Sequence, residues 1–171
     1  MRIVKEIYFV ASVFLVLSIF SCQKKDDVQQ ERVCIIDDGE LLNLVQREAL
    51  TNSMRDIENK LGPQLIIIVL DSLNGVEIED FTKKMFDELK LGRDKIYDGL
   101  VIAFAVKDKK VRIEVGYGLE KIIRDDVAAQ YIRDHIKPNF KEKKYYEGLS
   151  EVVSQIRLKI EANKDLIGSR L

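Results

Sequence analysis

Two short apolar runs, Gln64-Leu-Ile-Ile-Ile-Val-Leu70 and Leu100-Val-Ile-Ala-Phe-Ala-Val106, constrain this chain more than any other feature. Each is unbroken and largely β-branched or aromatic, which marks a strand covered on both faces. Helical patterns surround them. Asn43 can cap a helix to Leu61, since Leu44, Leu50, Met54, Ile57 and Leu61 recur at helical spacing before Gly62-Pro63 ends the pattern. Ile78, Phe81, Met85 and Leu89 mark a second helix, closed near Gly92. Two more are expected, one from about Asp126 to Lys137, stopped by Pro138, and one from about Tyr145 to Ala162.

Strand, helix, strand implies a parallel pair joined by a crossover. Lys107-Asp-Lys-Lys110 is a polar turn, after which Val111, Ile113 and Val115 alternate with Arg112 and Glu114, so an antiparallel hairpin with one wetter face follows. The expected fold is α/β: a three-layer α/β/α sandwich on a small mixed sheet, mostly parallel plus one antiparallel hairpin.

Composition narrows the function. Lys and Arg number 28 against 29 Asp and Glu, a net charge of −1, so no basic field attracts nucleic acid and none is expected as a partner. One histidine excludes a multi-histidine metal site, and two cysteines make no disulfide framework. Chemistry, if present, must run on carboxylates, hydroxyls and backbone.

Arg2 and Lys5 precede an apolar run from Ile7 to Phe20, shorter than the roughly 20 residues that span a membrane. With Ile19-Phe20-Ser21-Cys22 and the polar Gln23-Lys-Lys-Asp-Asp27 behind it, this segment resembles a bacterial lipoprotein signal. The resemblance implies that residues 1–21 are a signal peptide and that Cys22 is lipidated. Residues 22–32 would then be a tether, 33–162 the domain and 163–171 a tail. Cys34, flanked by Val33, Ile35 and Ile36, reads as a buried apolar residue.

Candidate chemistry gathers behind the hairpin. Gly116-Tyr-Gly118 can turn sharply and expose amides, but Lys121 stands where a dinucleotide fingerprint needs glycine. A glycine corner followed by Asp125 as a helix cap is the plain account of this stretch. Hairpin geometry adds another, because it sets Asp98-Gly99 at the same sheet end as Gly116. Asp98, Glu120, Asp125 and Asp126 could then converge, and carboxylates brought together need a cation. Oxygen ligands of this kind suit Ca²⁺ or Mg²⁺. Asp37 joins them only if residues 33–42 run along the sheet; otherwise it lies at the opposite end, nearer Asp71. Asp98 and Asp125 are the candidates for any catalytic role. His135 reads as a surface or half-buried residue, and Tyr145-Tyr146 as packing at a helix start.

Gly116-Tyr-Gly-Leu-Glu120 with Asp125, then Ile136-Lys-Pro138-Asn-Phe140, Tyr145 and Gly148, resembles the TPM domain family. Asp37 with Leu42, Leu61-Gly62, Ser72-Leu73-Asn74-Gly75 and Asp98-Gly99-Leu100 fall in the family's order, so the likeness covers about residues 33–161. That family includes thylakoid-lumen proteins of photosystem repair with acid phosphatase activity, nematode receptor-modulating proteins and bacterial envelope proteins. Here Leu91 stands where the family often has tryptophan, and Asp98 and Asp126 replace less acidic residues. Taken with the lipoprotein-like signal, the expectation is a lipid-anchored protein of the bacterial envelope, on the periplasmic or surface face, in the outer membrane if the cell has one. Its domain would bind a divalent cation through the gathered acids and serve membrane-protein partners as an interaction or maintenance module. The alternative is a cation-dependent phosphatase acting on phosphomonoesters.

Overall fold

A computed structural model of the chain describes residues 34–169. The lipidation candidate Cys22, and with it the signal and tether, lies outside the described residues. Four strands form one sheet in the order β1 (Ile35–Asp37), β2 (Gln64–Leu70), β3 (Gly99–Ala105) and β4 (Lys110–Val115). β1, β2 and β3 are parallel, and β4 returns antiparallel beside β3.

Helix α1 (Leu44–Leu61) joins β1 to β2, and α2 (Ile78–Glu88) joins β2 to β3. After β4 come α3 (Asp125–Tyr131), a π-helical turn (Ile132–Ile136), α4 (Lys137–Lys141) and α5 (Tyr145–Ala162). Alternation along β2 divides the interior in two. Leu65, Ile67 and Val69 point to a large core with Leu50, Met54 and Ile57 of α1 and Val152, Val153 and Ile156 of α5. Ile66 and Ile68 point the other way, toward a smaller core with Val101, Ala103 and Ala105, where Phe81, Met85 and Phe86 of α2 pack. This is the expected three-layer sandwich.

Local chemistry explains the element ends. Asn43 caps α1 through its side chain, accepting from the Gln46 N–H at 2.9 Å, while the Gln46 side chain accepts from the Asn43 N–H at 3.1 Å. Together they satisfy two orphan donors. Gly62 closes the helix with φ at 100°, a conformation only glycine takes freely.

One element was not anticipated, and two expectations need correction. Residues 35–37 form an edge strand, too short for periodicity to mark. Pro138 does not stop its helix: the Lys137 N–H reaches back five residues to the Ile132 carbonyl, and the π turn carries the backbone past the missing donor into α4. The stretch after α5 is more than a tail, because Ile167 packs on the large core and the Gly168 N–H donates to the Gly118 carbonyl at 2.8 Å.

Candidate functional site

The hairpin brings Asp98-Gly99 and Gly116 together as expected, with the Gly116 N–H donating to the Gly99 carbonyl at 2.9 Å. Beside them opens a groove of about 900 Å³, whose walls include Phe86, Leu91, Arg93, Tyr97, Tyr117 and Glu120. Two stretches of chain build it, the end of α2 with the α2–β3 loop, and the end of β4 with the corner after it.

Close backbone contact sets the corner. A side chain at Gly116 would overlap the Tyr97 carbonyl oxygen, and one at Gly118 would overlap that of Ile96. Only glycine lets the two segments meet so closely. The Gly118 N–H donates to the Tyr97 carbonyl at 3.0 Å, and the Leu119 N–H to the Gly116 carbonyl at 2.8 Å. Leu119, Ile122 and Ile123 are buried, which pins the far side of the corner in the large core. Between the glycines, Tyr117 is left 68% exposed at the groove's rim.

The facing loop is held as firmly. Lys95 and Tyr97 take left-handed backbone, at φ 64° and 60°, a conformation non-glycine residues keep only where their surroundings impose it. Asp98 supplies that restraint. Its carboxylate is wholly buried and accepts from the Arg93 N–H at 2.8 Å on Oδ1 and from Arg93 Nε at 2.8 Å on Oδ2, with Nη2 in ion-pair contact 2.6 Å from Oδ2. Gln64 ties the base of the loop, accepting from the Gly92 N–H at 2.8 Å while donating to Glu58 at 2.9 Å.

The five carboxylates expected to converge do not do so. Glu120 lines the groove, but Asp98 lies behind Arg93. Asp126 forms a fork with Arg124, at 3.0 and 2.6 Å on its two oxygens, and that pairing holds its carboxyl below the usual carboxylate range. Asp125 does not cap α3. Arg124 takes that position and Asp125 stands one residue inside, exposed in the acidic first turn, where its charge complements the helix dipole. Neither Asp125 nor Asp126 lines the groove.

Asp37 is farther away still. It pairs with Val69 near the end of β2, whereas Gln64, at the start of that strand, pairs with Gly99. At about 3.3 Å per residue the two acids are roughly 20 Å apart. Asp37 accepts instead from the Leu41 and Leu42 N–H groups, each at 3.1 Å, and from Arg47 at 3.2 Å. Among the described residues no group of three or more His, Cys, Asp or Glu side chains is arranged to hold a metal ion. Acids so dispersed do not supply the converging oxygens that Ca²⁺ or Mg²⁺ takes.

Sequence reasoning missed Arg93 and the side chain of Tyr117. Arg93 lies in an aperiodic loop, and the available clue was a basic residue directly after Gly92. Elsewhere, Cys34 is buried as expected. His135 is partly exposed, with Nδ1 3.4 Å from Glu151. No helix among the described residues is long and apolar enough to cross a membrane.

The N-terminal domain of a P. gingivalis protein, solved by NMR, is similar, with TM-score 0.73 and 28% identity over 80% of this chain and 87% of that one. The BA42 protein of the psychrophilic bacterium Bizionia argentinensis superposes with TM-score 0.63 at 22% identity, over 74% of this chain and 86% of its own. The N-terminal domain of a Corynebacterium glutamicum protein does so with TM-score 0.61 at 10% identity, over 85% and 88%; these last two likenesses concern the fold alone. No curated protein matches the chain. A family model of the TPM domain matches residues 35–158, from β1 into the last helix. With that match over most of its length, the chain belongs to the TPM domain family.

Proposed function

We propose that this chain is a lipid-anchored protein of the bacterial envelope, attached through Cys22, whose TPM domain is a contact module for a membrane-protein partner. The observation that carries the reading is Tyr117, a large aromatic 68% exposed on a backbone corner that admits only glycine on either side. A rigid exposed tyrosine loses little conformational entropy on binding and offers both an apolar face and a hydroxyl. Tyr97 and Phe86 continue the aromatic lining into the groove, where Lys83, Lys90, Asp87 and Glu120 place charges of both signs. Such a mixture favours a polypeptide segment over a small anion.

The test places a photo-crosslinking residue at 117 in the full lipidated chain and irradiates intact cells. The reading predicts one dominant membrane-protein adduct, absent when the same group replaces the exposed Leu158 of α5. Equal adducts from both positions would overturn it. Cys22→Ser is expected to move the chain from the membrane to the soluble fraction; retention there would remove the lipid anchor from the proposal.

Hydrolysis of phosphomonoesters is the second reading. It draws on Lys83, Lys90 and the part-exposed guanidinium of Arg93, which all line the groove and could meet a phosphoryl group. Asp98 is buried and Asp125 stands outside the groove, so neither candidate acid meets a substrate held there. Turnover of a phosphomonoester by the purified chain, lost in Lys83→Ala and Lys90→Ala with the fold intact, would select this reading instead.

A further inference from the structure

We infer that Arg93 is a built-in counter-ion: its guanidinium holds Asp98, and through it the wall of the groove, as a divalent cation would hold converging acids, so the groove forms without one. The inference does not depend on what the groove binds.

A buried carboxylate needs a positive charge or several donors, because removing it from water is otherwise very unfavourable. Asp98 draws both its hydrogen bonds from one residue, the backbone N–H and Nε of Arg93, and Nη2 of the same residue adds an ion-pair contact at 2.6 Å. The guanidinium is fixed from a second side. A Cβ on Gly62 would overlap its central carbon and both terminal nitrogens, so the flat group lies against the bare backbone at the end of α1. There it also faces the negative end of that helix's dipole. An ammonium has no planar fork to fill this slot, and a lysine would lose the second side-chain contact.

The pair reaches the groove through backbone. Arg93 and Asp98 clamp the intervening loop, with the Ile96 and Tyr97 N–H groups donating to the Arg93 carbonyl at 3.1 and 2.9 Å. The Tyr97 carbonyl then accepts from Gly118, which fixes the corner carrying Tyr117. Arg93 is thus a positioning residue. It belongs to the chain and so is present at every cation concentration.

The test uses the full chain in detergent, followed by thermal melting and by amide spectra with Ca²⁺, Mg²⁺ or EDTA added. In the wild type none of the three should shift the melting point or the amides of Asp98, Gly116 and Gly118. Arg93→Gln should melt lower by about 10 °C, and neither Ca²⁺ nor Mg²⁺ should recover the loss, because among the described residues Asp98 belongs to no group of acids arranged to share the ion. If that variant does not fold, Arg93→Gln with Asp98→Asn decides: removing both charges should restore folding. Saturable amide shifts in the wild type would overturn the inference. So would an Arg93→Gln variant as stable as the wild type, or a double variant no more stable than the single one.

Discussion

Each end of the sheet buries one carboxylate beside one arginine, yet the two pairs have different work. At one end Asp37 leans on backbone, accepting from two N–H groups at 3.1 Å and from a single Arg47 nitrogen at 3.2 Å. At the other, Asp98 takes both its hydrogen bonds from Arg93, one from the backbone N–H and one from Nε at 2.8 Å each, with Nη2 in ion-pair contact at 2.6 Å. Both carboxylates are fully buried, and both arginines are about one-third to two-fifths exposed, at 36% and 41%. The difference is therefore one of dependence rather than burial. A buried acid that keeps two backbone N–H donors tolerates loss of its arginine, whereas one left with a single backbone N–H and no counter-charge does not. The dependent pair stands where the groove opens, which ties the fold's most vulnerable charge to the surface proposed to do the binding.

Glycine substitutions should separate the ends most strongly. Gly118→Ala forces a methyl into a backbone carbonyl that cannot move aside, for a loss of about 3 kcal/mol or more by chemical denaturation. Gly39→Ala, at the Asp37 end, would bring its Cβ to 3.3 Å from side-chain methyls of Val69 and Val106. These can shift, and the expected loss is about 1 kcal/mol. Equal losses would erase the contrast.

The arginines come next. Arg93→Gln is expected to lose about 3 kcal/mol, the low end for a broken buried pair because the guanidinium is partly exposed. Arg47→Gln should lose only about 1 kcal/mol, since the Leu41 and Leu42 N–H groups remain on Asp37. Tyr117→Ala should change stability by no more than about 0.5 kcal/mol while abolishing partner capture. A large stability loss there would make Tyr117 a structural residue.

Acid should act on both ends, and most weakly of all. Asp108 at the hairpin tip is held below the usual carboxylate range chiefly by the Leu73 N–H, and Asp126 near the groove by Arg124. A depressed carboxylate adds stability above its unfolded pKa and loses it as pH falls through the folded value. Melting points should therefore fall as pH drops below about 4. Asp108→Asn and Asp126→Asn should each flatten the decline slightly; an unchanged profile in both would show that these contacts contribute nothing measurable.

The layers were legible in the chain because the pattern that encodes them is local. Ile66 to Ile68 and Val101 to Ala103 are apolar on both faces, and that pattern requires cover above and below. Capping by Asn43 was equally readable from its spacing to Gln46. β1 was not, since Ile35 to Asp37 is shorter than any usable period. Pro138 misled because the loss of one donor can be absorbed by a change of helical register. The hairpin correctly brought Asp98 beside Gly116, but sequence alone does not say which charge meets a buried acid. Arg93, five residues upstream in a loop without periodicity, answers that only in three dimensions. The expected gathering of acids failed for this reason: three of its members already had arginines of their own.

The most direct test of the dependence between pair and groove is the amide spectrum of Arg93→Gln set beside that of Arg47→Gln. The first should move the signals of residues 91–99 and of Gly116 through Glu120 together, while the second leaves both stretches at their wild-type positions. If Arg93→Gln instead leaves Gly116 through Glu120 unmoved, the pair does not hold the corner.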